Sequence, residues 1–251
     1  MPYGTVGLWY DPALAPAAPQ KSAVVAPQAF PLPDWLTRMS APEPEPAPPL
    51  RPSSALGASD APASLRDRPF DPSARQRGVL IHALIERLPA IPADRRAEAA
   101  RAFVAARAGG LDATMRAAIV ADALKVIEDE RLTPLFAADA LAEAPVSGLV
   151  GVGEAGARVG VTGQIDRLAI GADAICFADF KTSARPPDPD APLSPRYLTQ
   201  MALYRALLAQ IYPDRTIRAF MVWTAGPQVR ELPAADLEAA LRLIAPPEPG
   251  G

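Results

Sequence analysis

Asp179 and Lys181 lie at the end of the apolar run ICFADFKTS (175–183), and their side chains could do metal or acid–base chemistry together. The run predicts a β-strand, and residues two apart on a strand point to the same face. A short turn separates it from the preceding run ARVGVTGQIDRLAI. If that turn is centred just after Ala172, the resulting hairpin places Asp166 opposite Asp179 on one face of the sheet.

Two carboxylates this close repel each other unless one is protonated or a cation lies between them. Oxygen ligands without a cysteine cluster favour Mg²⁺ or Mn²⁺, ions that polarise a phosphoryl oxygen and lower the pKa of water. The ammonium of Lys181 would then stabilise charge that develops on a phosphoryl group. The alternative is a set of solvated surface charges. In it, Asp166 pairs with Arg167 or Arg158, and Asp179 pairs with Lys181.

The elements that must position these residues are predicted from hydrophobic periodicity and from glycine and proline breaks. Helices are expected at 71–89, with Asp71 or Ser73 as N-cap, at 93–109, at 112–136 with a break near Thr133–Pro134, at 196–213 and at 233–244. Strands are expected at 141–148, 157–170, 174–182 and, as the last strand, 216–225. This order predicts an α/β fold with a central mixed β-sheet flanked by helices.

Composition predicts one domain preceded by a long linker. Of the 31 prolines, 16 fall within residues 1–72, so 1–70 is interpreted as a Pro/Ala-rich, partly extended linker. Its apolar residues Phe30, Trp35 and Leu36 are expected to dock on a neighbouring surface, and 246–251 is expected to be a disordered tail. A single domain is therefore predicted over residues 71–245.

Charge, cysteine content and hydropathy exclude several classes of protein. The net charge of −3 argues against binding nucleic acid by bulk electrostatics alone. The single cysteine, Cys176, excludes a cysteine-ligated zinc or iron–sulfur site within the chain. No apolar stretch is long enough to span a membrane, and we expect a soluble, cytoplasmic protein with no membrane partner.

Five short motifs together resemble the PD-(D/E)xK nuclease superfamily, in the form found in RecB-like nuclease domains. They are RGVLIHALIE with Gly78 and His82, EAPVSG with Glu143, GQIDRL with Asp166, ADFKTS with Asp179 and Lys181, and QMALYRALL with Gln200 and Tyr204. Each motif alone is weak, but all five occur in the family's order and cover roughly residues 71–225. The resemblance implies a restriction-endonuclease-like fold.

The resemblance also implies roles for individual residues. In the family, the histidine and the two aspartates bind a divalent metal ion, which assigns His82, Asp166 and Asp179 as ligands of Mg²⁺ or Mn²⁺. Lys181 would be the catalytic lysine and Glu143 a supporting catalytic acid. No other cofactor is expected.

Two residues of the last motif are expected to bind DNA or to support the site. Gln200 and Tyr204 lie four apart on a helix and therefore share a face. Structural alternatives remain for several positions: His82 as a helix-surface or core histidine, Glu143 as an exposed strand carboxylate, and Tyr204 as a core residue packed with Met201, Leu208 and Ile211.

The proline-rich approach, with PLPDWL and LRPSSAL, resembles the linker that precedes the nuclease domain of AddA-type helicase/nucleases. That resemblance implies an exonuclease acting in double-strand break repair and recombination on DNA single strands from an unwound duplex end, near the bacterial nucleoid. The implied partners are an AddB-like subunit and the helicase domain of a parent protein. The chain has no G-x-x-x-x-G-K-[ST] motif, so any ATPase activity lies elsewhere. The alternatives are a catalytically silent module for assembly with the partner and a helicase-independent nuclease.

Overall fold

The computed structural model describes residues 49–52, 72–182, 186–188 and 191–245, all of which lie in one compact unit, Pro46–Gly251. The predicted docking of Phe30, Trp35 and Leu36, the cap at Asp71 and the C-terminal tail 246–251 lie outside the described residues.

Three helices precede the sheet: α1 (Pro72–Arg87), α2 (Ala93–Arg107) and α3 (Ala113–Ile127). Helix α1 buries Leu80, Ile81, Leu84 and Ile85, whose spacing is that of one helical face. Helix α3 begins where the Asp112 side chain accepts a hydrogen bond from the Met115 amide at 2.7 Å, a standard N-cap contact.

The predicted break of the third helix near Thr133–Pro134 is wrong, since α3 already ends at Ile127. The Asp129 carboxylate accepts the backbone N–H of Arg131 at 3.0 Å and starts a separate 3-10 helix, Glu130–Phe136. Asp side chains compete for backbone amides in this way and favour a new helix start. Pro134 lies inside the second segment rather than at its boundary.

Five strands form one sheet in the order β1-β2-β3-β4-β5. They are β1 (Leu141–Val152), β2 (Ala157–Ile170), β3 (Ala174–Lys181), β4 (Thr216–Trp223) and β5 (Gln228–Leu232). All neighbours are antiparallel except β3 and β4, which are parallel and are joined through α4 (Pro195–Ile211). Helix α5 (Ala234–Arg242) follows the last strand. The predicted mixed sheet with flanking helices is confirmed.

Strand β5 was not predicted from the sequence, in which β4 is expected to be the last strand. The segment Gln228–Leu232 reads QVREL, with three polar residues among five, and only Leu232 is buried. A short, polar strand of this kind is typical of a sheet edge.

The sheet separates two apolar cores. Helices α1 to α3 pack with Cys176, Ala178 and Phe180 on one face, whereas α4 and α5 pack with Ile175 and Phe177 on the other. Strand β3 therefore has buried residues on both faces, which explains its nearly continuous apolar sequence.

The predicted hairpin register between β2 and β3 is confirmed by its paired residues, which run from Ile170 opposite Ile175 to Arg167 opposite Ala178. The pairing ends there, one residue before Asp166 and Asp179 would face each other. The strands separate at that point, so the predicted cross-strand pair of aspartates is not part of the ladder. None of the helices in the described parts of the chain is both long and apolar enough to cross a membrane.

Candidate active site

The alternation of β2 breaks at Asp166. Ile165 and Leu168 lie three residues apart, yet both belong to the core under α4, whereas strict alternation would place them on opposite faces. The ladder with β1 skips the same position, because Ala142 pairs with Arg167 and Ala144 with Ile165.

Glu143, in β1, lies opposite Asp166. Its backbone has a left-handed φ of 51°, a conformation that costs free energy for a residue other than glycine. The distortion therefore affects both strands at one level. On the other side of β2, Asp166 Oδ2 accepts the backbone N–H of Phe180 at 2.7 Å, so this carboxylate bridges the gap where β2 and β3 separate.

Helix α1 brings His82 to the same place. Its Nε2 lies 3.2 Å from Asp166 Oδ2, and its Nδ1 lies 3.5 Å from Glu143 Oε1. The helix approaches the sheet closely one turn earlier, since a Cβ on Gly78 would lie only 2.7 Å from Oγ1 of Thr182. Glycine at that position therefore allows the approach that puts His82 beside the two acids.

Arg167 fixes the other end of α1. Its buried guanidinium donates hydrogen bonds of 2.7 Å to the carbonyl oxygens of Ile85 and Glu86, at the C-terminal end of the helix. A cation there also complements the negative end of the helix dipole. Arg167 thus ties α1 to β2 next to Asp166, and it is not the surface partner of Asp166 that the alternative interpretation required.

Asp179 and Lys181 form a compact network with Gln200 from α4. Lys181 Nζ lies 2.6 Å from Asp179 Oδ2 and donates to Gln200 Oε1 at 2.9 Å, while Gln200 Nε2 donates to Asp179 Oδ1 at 2.6 Å. Asp179 and Gln200 are each 5% exposed. The ion pair of the surface-charge alternative is therefore formed, but its carboxylate is buried and its ammonium is only partly exposed.

Tyr204, one turn after Gln200 on α4, packs in the core and also supports the site. It is buried among Met201 and Leu208, as the structural alternative expected, while Ile211 is exposed. Its hydroxyl donates to the carbonyl oxygen of Gln164 at 2.8 Å.

Gln164 continues this chain of contacts towards Glu143. Its side-chain amide donates to the carbonyl oxygen of Glu143 at 3.0 Å. Gln164 was not predicted as a site residue, although it lies within the GQIDRL motif, because its side chain contacts only a backbone carbonyl of the neighbouring strand and its own carbonyl accepts from Tyr204.

One pocket of about 500 Å³ collects all seven residues selected from the sequence. They are His82, Glu143, Asp166, Asp179, Lys181, Gln200 and Tyr204. Its lining also includes Arg51, Thr162, Gly163, Gln164 and Phe180.

A family model described as the PD-(D/E)XK nuclease superfamily matches residues 56–244. The chain belongs to this superfamily. Membership indicates a phosphodiester hydrolase of a class that typically depends on a divalent metal ion. No curated protein matches the chain. The solved crystal structure of SSO0001 aligns with 16% identity and a TM-score of 0.29, over 70% of this chain and 77% of that one.

The acids of this pocket are crowded, and their pKa values reflect the crowding. The hydrogen bond to Asp166 raises the pKa of His82, against the opposing effect of burial. Burial, followed by the charge of Asp166, raises the pKa of Glu143. Burial also raises the pKa of Asp179, which the ammonium of Lys181 partly offsets. Burial and mutual repulsion therefore disfavour the ionised form of these carboxylates, and a bound cation would stabilise that form.

The residues that lie close enough together to bind one metal ion differ from the predicted ligands. His82, Glu143 and Asp166 each offer a ligand atom within 4.8 Å of the others, whereas the predicted trio had Asp179 in place of Glu143. One imidazole and two carboxylates suit Mn²⁺ or Mg²⁺, so the donors fit the ion that the superfamily implies.

Proposed function

We propose that this PD-(D/E)XK domain hydrolyses DNA phosphodiester bonds with the help of Mg²⁺ or Mn²⁺. One observation carries the proposal: His82, Glu143 and Asp166, which lie close enough together to bind one metal ion, share a pocket with the ion pair of Lys181 and the buried Asp179. A domain without chemistry would gain nothing from holding three carboxylates and an imidazole in one half-buried pocket.

His82, Asp166 and Glu143 would hold the ion, and Asp179, which the resemblance implies as a ligand, lines the same pocket. When bound, the ion supplies charge neutralisation at the phosphate and makes a water easier to deprotonate. The Asp166 carboxylate is oriented by its hydrogen bond from the Phe180 amide, and the backbone of Glu143 is fixed in the distorted part of β1. Gln164 and Arg167 act as positioning residues behind them.

We assign Lys181 the role of stabilising the transition state. Two oxygens, those of Asp179 and Gln200, fix its ammonium in the pocket, and the ring of Tyr197 lies 5.0 Å from Nζ. A fixed ammonium can orient a water and stabilise the charge that develops on the phosphoryl oxygens, and it needs no rearrangement to do so. Gln200 therefore acts through Lys181 and Asp179 rather than on the substrate.

The substrate and setting that we propose are single DNA strands delivered by a helicase. The net charge of −3 suits a domain that is fed DNA by a motor better than one that captures duplex by itself. By resemblance to AddA-type helicase/nucleases, the domain 71–245 would act as an exonuclease in double-strand break repair and recombination, in the bacterial cytoplasm, with an AddB-like subunit and a helicase domain as partners.

Two alternative functions, an assembly module and a helicase-independent nuclease, lead to different expected results. A silent assembly module would bind its partner subunit but leave DNA intact, and the gathered charges argue against it. A helicase-independent nuclease would cut DNA without a motor. The resemblance of the proline-rich segment 1–70 to the linker of AddA-type helicase/nucleases disfavours this alternative. Co-purification with an AddB-like subunit, for wild type and for Asp179→Ala, separates assembly from catalysis.

The test of the proposal is cleavage of a labelled single-stranded oligonucleotide with Mg²⁺. We expect wild type to cut and Asp179→Ala to lose at least about a hundredfold in rate, because Lys181 loses its buried anion. Asp173→Ala, an exposed aspartate in the turn before β3, is the matched control and should retain wild-type activity. Equal rates for wild type and Asp179→Ala would overturn the catalytic assignment.

A further inference from the structure

A short segment upstream of the family-matched region pairs with the sheet beside the site. Leu50 N donates to the Gly160 carbonyl at 2.7 Å, and Thr162 N donates to the Leu50 carbonyl at 3.0 Å, which makes a parallel bridge to β2. Strand β1 occupies one edge of β2 along its length. Pro49–Pro52 therefore lies on the other edge, which β3 occupies only near the turn.

The residues on either side of Arg51 are packed against the domain. Leu50 packs on the core under α4, and Pro52 is buried. A Cβ on Gly163 would lie 3.0 Å from Pro52 Cδ and 2.8 Å from a ring carbon of Tyr204, so the glycine leaves room for the segment. The backbone that carries Arg51 is thus fixed by hydrogen bonds and by packing.

Arg51 itself is exposed and lines the pocket that contains His82, Asp166 and Lys181. Three carboxylates in that pocket repel an approaching phosphate, so a cation in addition to Lys181 would favour its binding. A guanidinium suits a phosphate because its planar fork donates two parallel hydrogen bonds.

We propose that Arg51 is a DNA-binding residue that holds a phosphate of the strand at the nuclease site, supplied by the segment before the nuclease domain. The family match begins at residue 56, so this residue lies outside it. The inference rests on the proposed function, because it requires a DNA strand in the pocket. It also gives a DNA-binding role to a residue within the predicted linker 1–70.

The experiment compares Arg51→Gln and Arg51→Lys in the full chain with Arg101→Gln, an exposed arginine on α2 outside the pocket. Binding of fluorescein-labelled oligothymidine is followed by anisotropy in EDTA over a KCl series, and cleavage kinetics are measured with Mg²⁺. For Arg51→Gln we expect roughly tenfold weaker binding and a salt slope smaller by about 0.7, the value for one phosphate contact on a single strand. KM should rise with little change in kcat.

Arg51→Lys should keep most of the salt slope, since it keeps the charge, and all three variants should melt at the wild-type temperature. The inference is overturned if Arg51→Gln matches Arg101→Gln in affinity, salt slope and KM, or if Arg51→Lys is as defective as Arg51→Gln in salt slope. A wild-type chain that neither binds nor cuts the oligonucleotide would overturn the proposed function, and this inference with it.

Discussion

At the scale of single residues, the site combines a fixed ammonium with a cluster of acids and an imidazole. Lys181 is held by contacts of 2.6 and 2.9 Å to two oxygens, and its anion, Asp179, is buried. An ammonium is compact, whereas a guanidinium is planar and wider. The geometry around Nζ therefore demands lysine and not simply a positive charge.

We predict that Lys181→Arg lowers the rate of oligonucleotide cleavage by about 10² to 10³, the usual cost of removing one transition-state donor. The change keeps the charge, so the affinity for the oligonucleotide should move much less than the rate. Lys125→Arg on α3 is the matched control, because Lys125 is exposed and lies outside the pocket. Full activity in Lys181→Arg would show that only the charge matters here.

The main residues of the site could be predicted from the sequence, but some of the residues that position them could not. Strand alternation and the hairpin register predict that Asp166, Asp179 and Lys181 lie together, and the paired residues of β2 and β3 have the predicted register. Gln164 and Arg167 were missed because their contacts are with backbone carbonyls, which no spacing rule identifies.

The ligand roles of these side chains remain predictions. The structure groups Glu143 with His82 and Asp166, while Asp179 lies with Lys181. Binding measurements on the single variants would decide between the two sets of ligands.

At the scale of elements, the site depends on how closely α1 approaches the end of β3. Gly78 and Thr182 are the point of contact, and His82 follows one helical turn later. Arg167 fixes the C-terminal end of the same helix. A small shift of α1 would therefore move the imidazole relative to both acids.

We predict that Gly78→Ala destabilises the fold by about 1 to 3 kcal/mol, the usual cost of overpacking, because the new Cβ would lie 2.7 Å from Thr182 Oγ1. Cleavage should fall further than the loss of folded protein explains, since α1 must shift and carry His82 with it. Thermal melting and kinetics at a temperature where the variant stays folded separate the two effects. Gly109→Ala, with nothing within 4 Å, is the control and should be neutral in both measurements.

Most elements were predictable because their periodicity reflects burial on one or two faces. The exceptions have local causes: Asp129 starts a new helix through its own side chain, and β5 has too few apolar residues to stand out. The break in alternation at Asp166 was also hidden, because the sequence of β2 still reads as one uninterrupted strand.

At the scale of the whole molecule, the site exists only when distant parts of the chain fold together. The candidate metal ligands come from three elements: His82 from α1, Glu143 from β1 and Asp166 from β2. Residues 49–52, expected to be linker, pair with β2 and bring Arg51 to the same pocket. That contact was not predictable, because a lone leucine between prolines gives no strand signal.

Mn²⁺ binding measured by electron paramagnetic resonance tests the central claim most directly, because it reports on the assembled cluster without requiring turnover. We predict a site in wild type whose affinity falls at least about tenfold in His82→Gln and in Asp166→Asn, and stays unchanged in Glu98→Gln, an exposed acid on α2. Equal Mn²⁺ affinity in wild type, His82→Gln and Asp166→Asn would contradict the assignment of this pocket as a metal-dependent nuclease site.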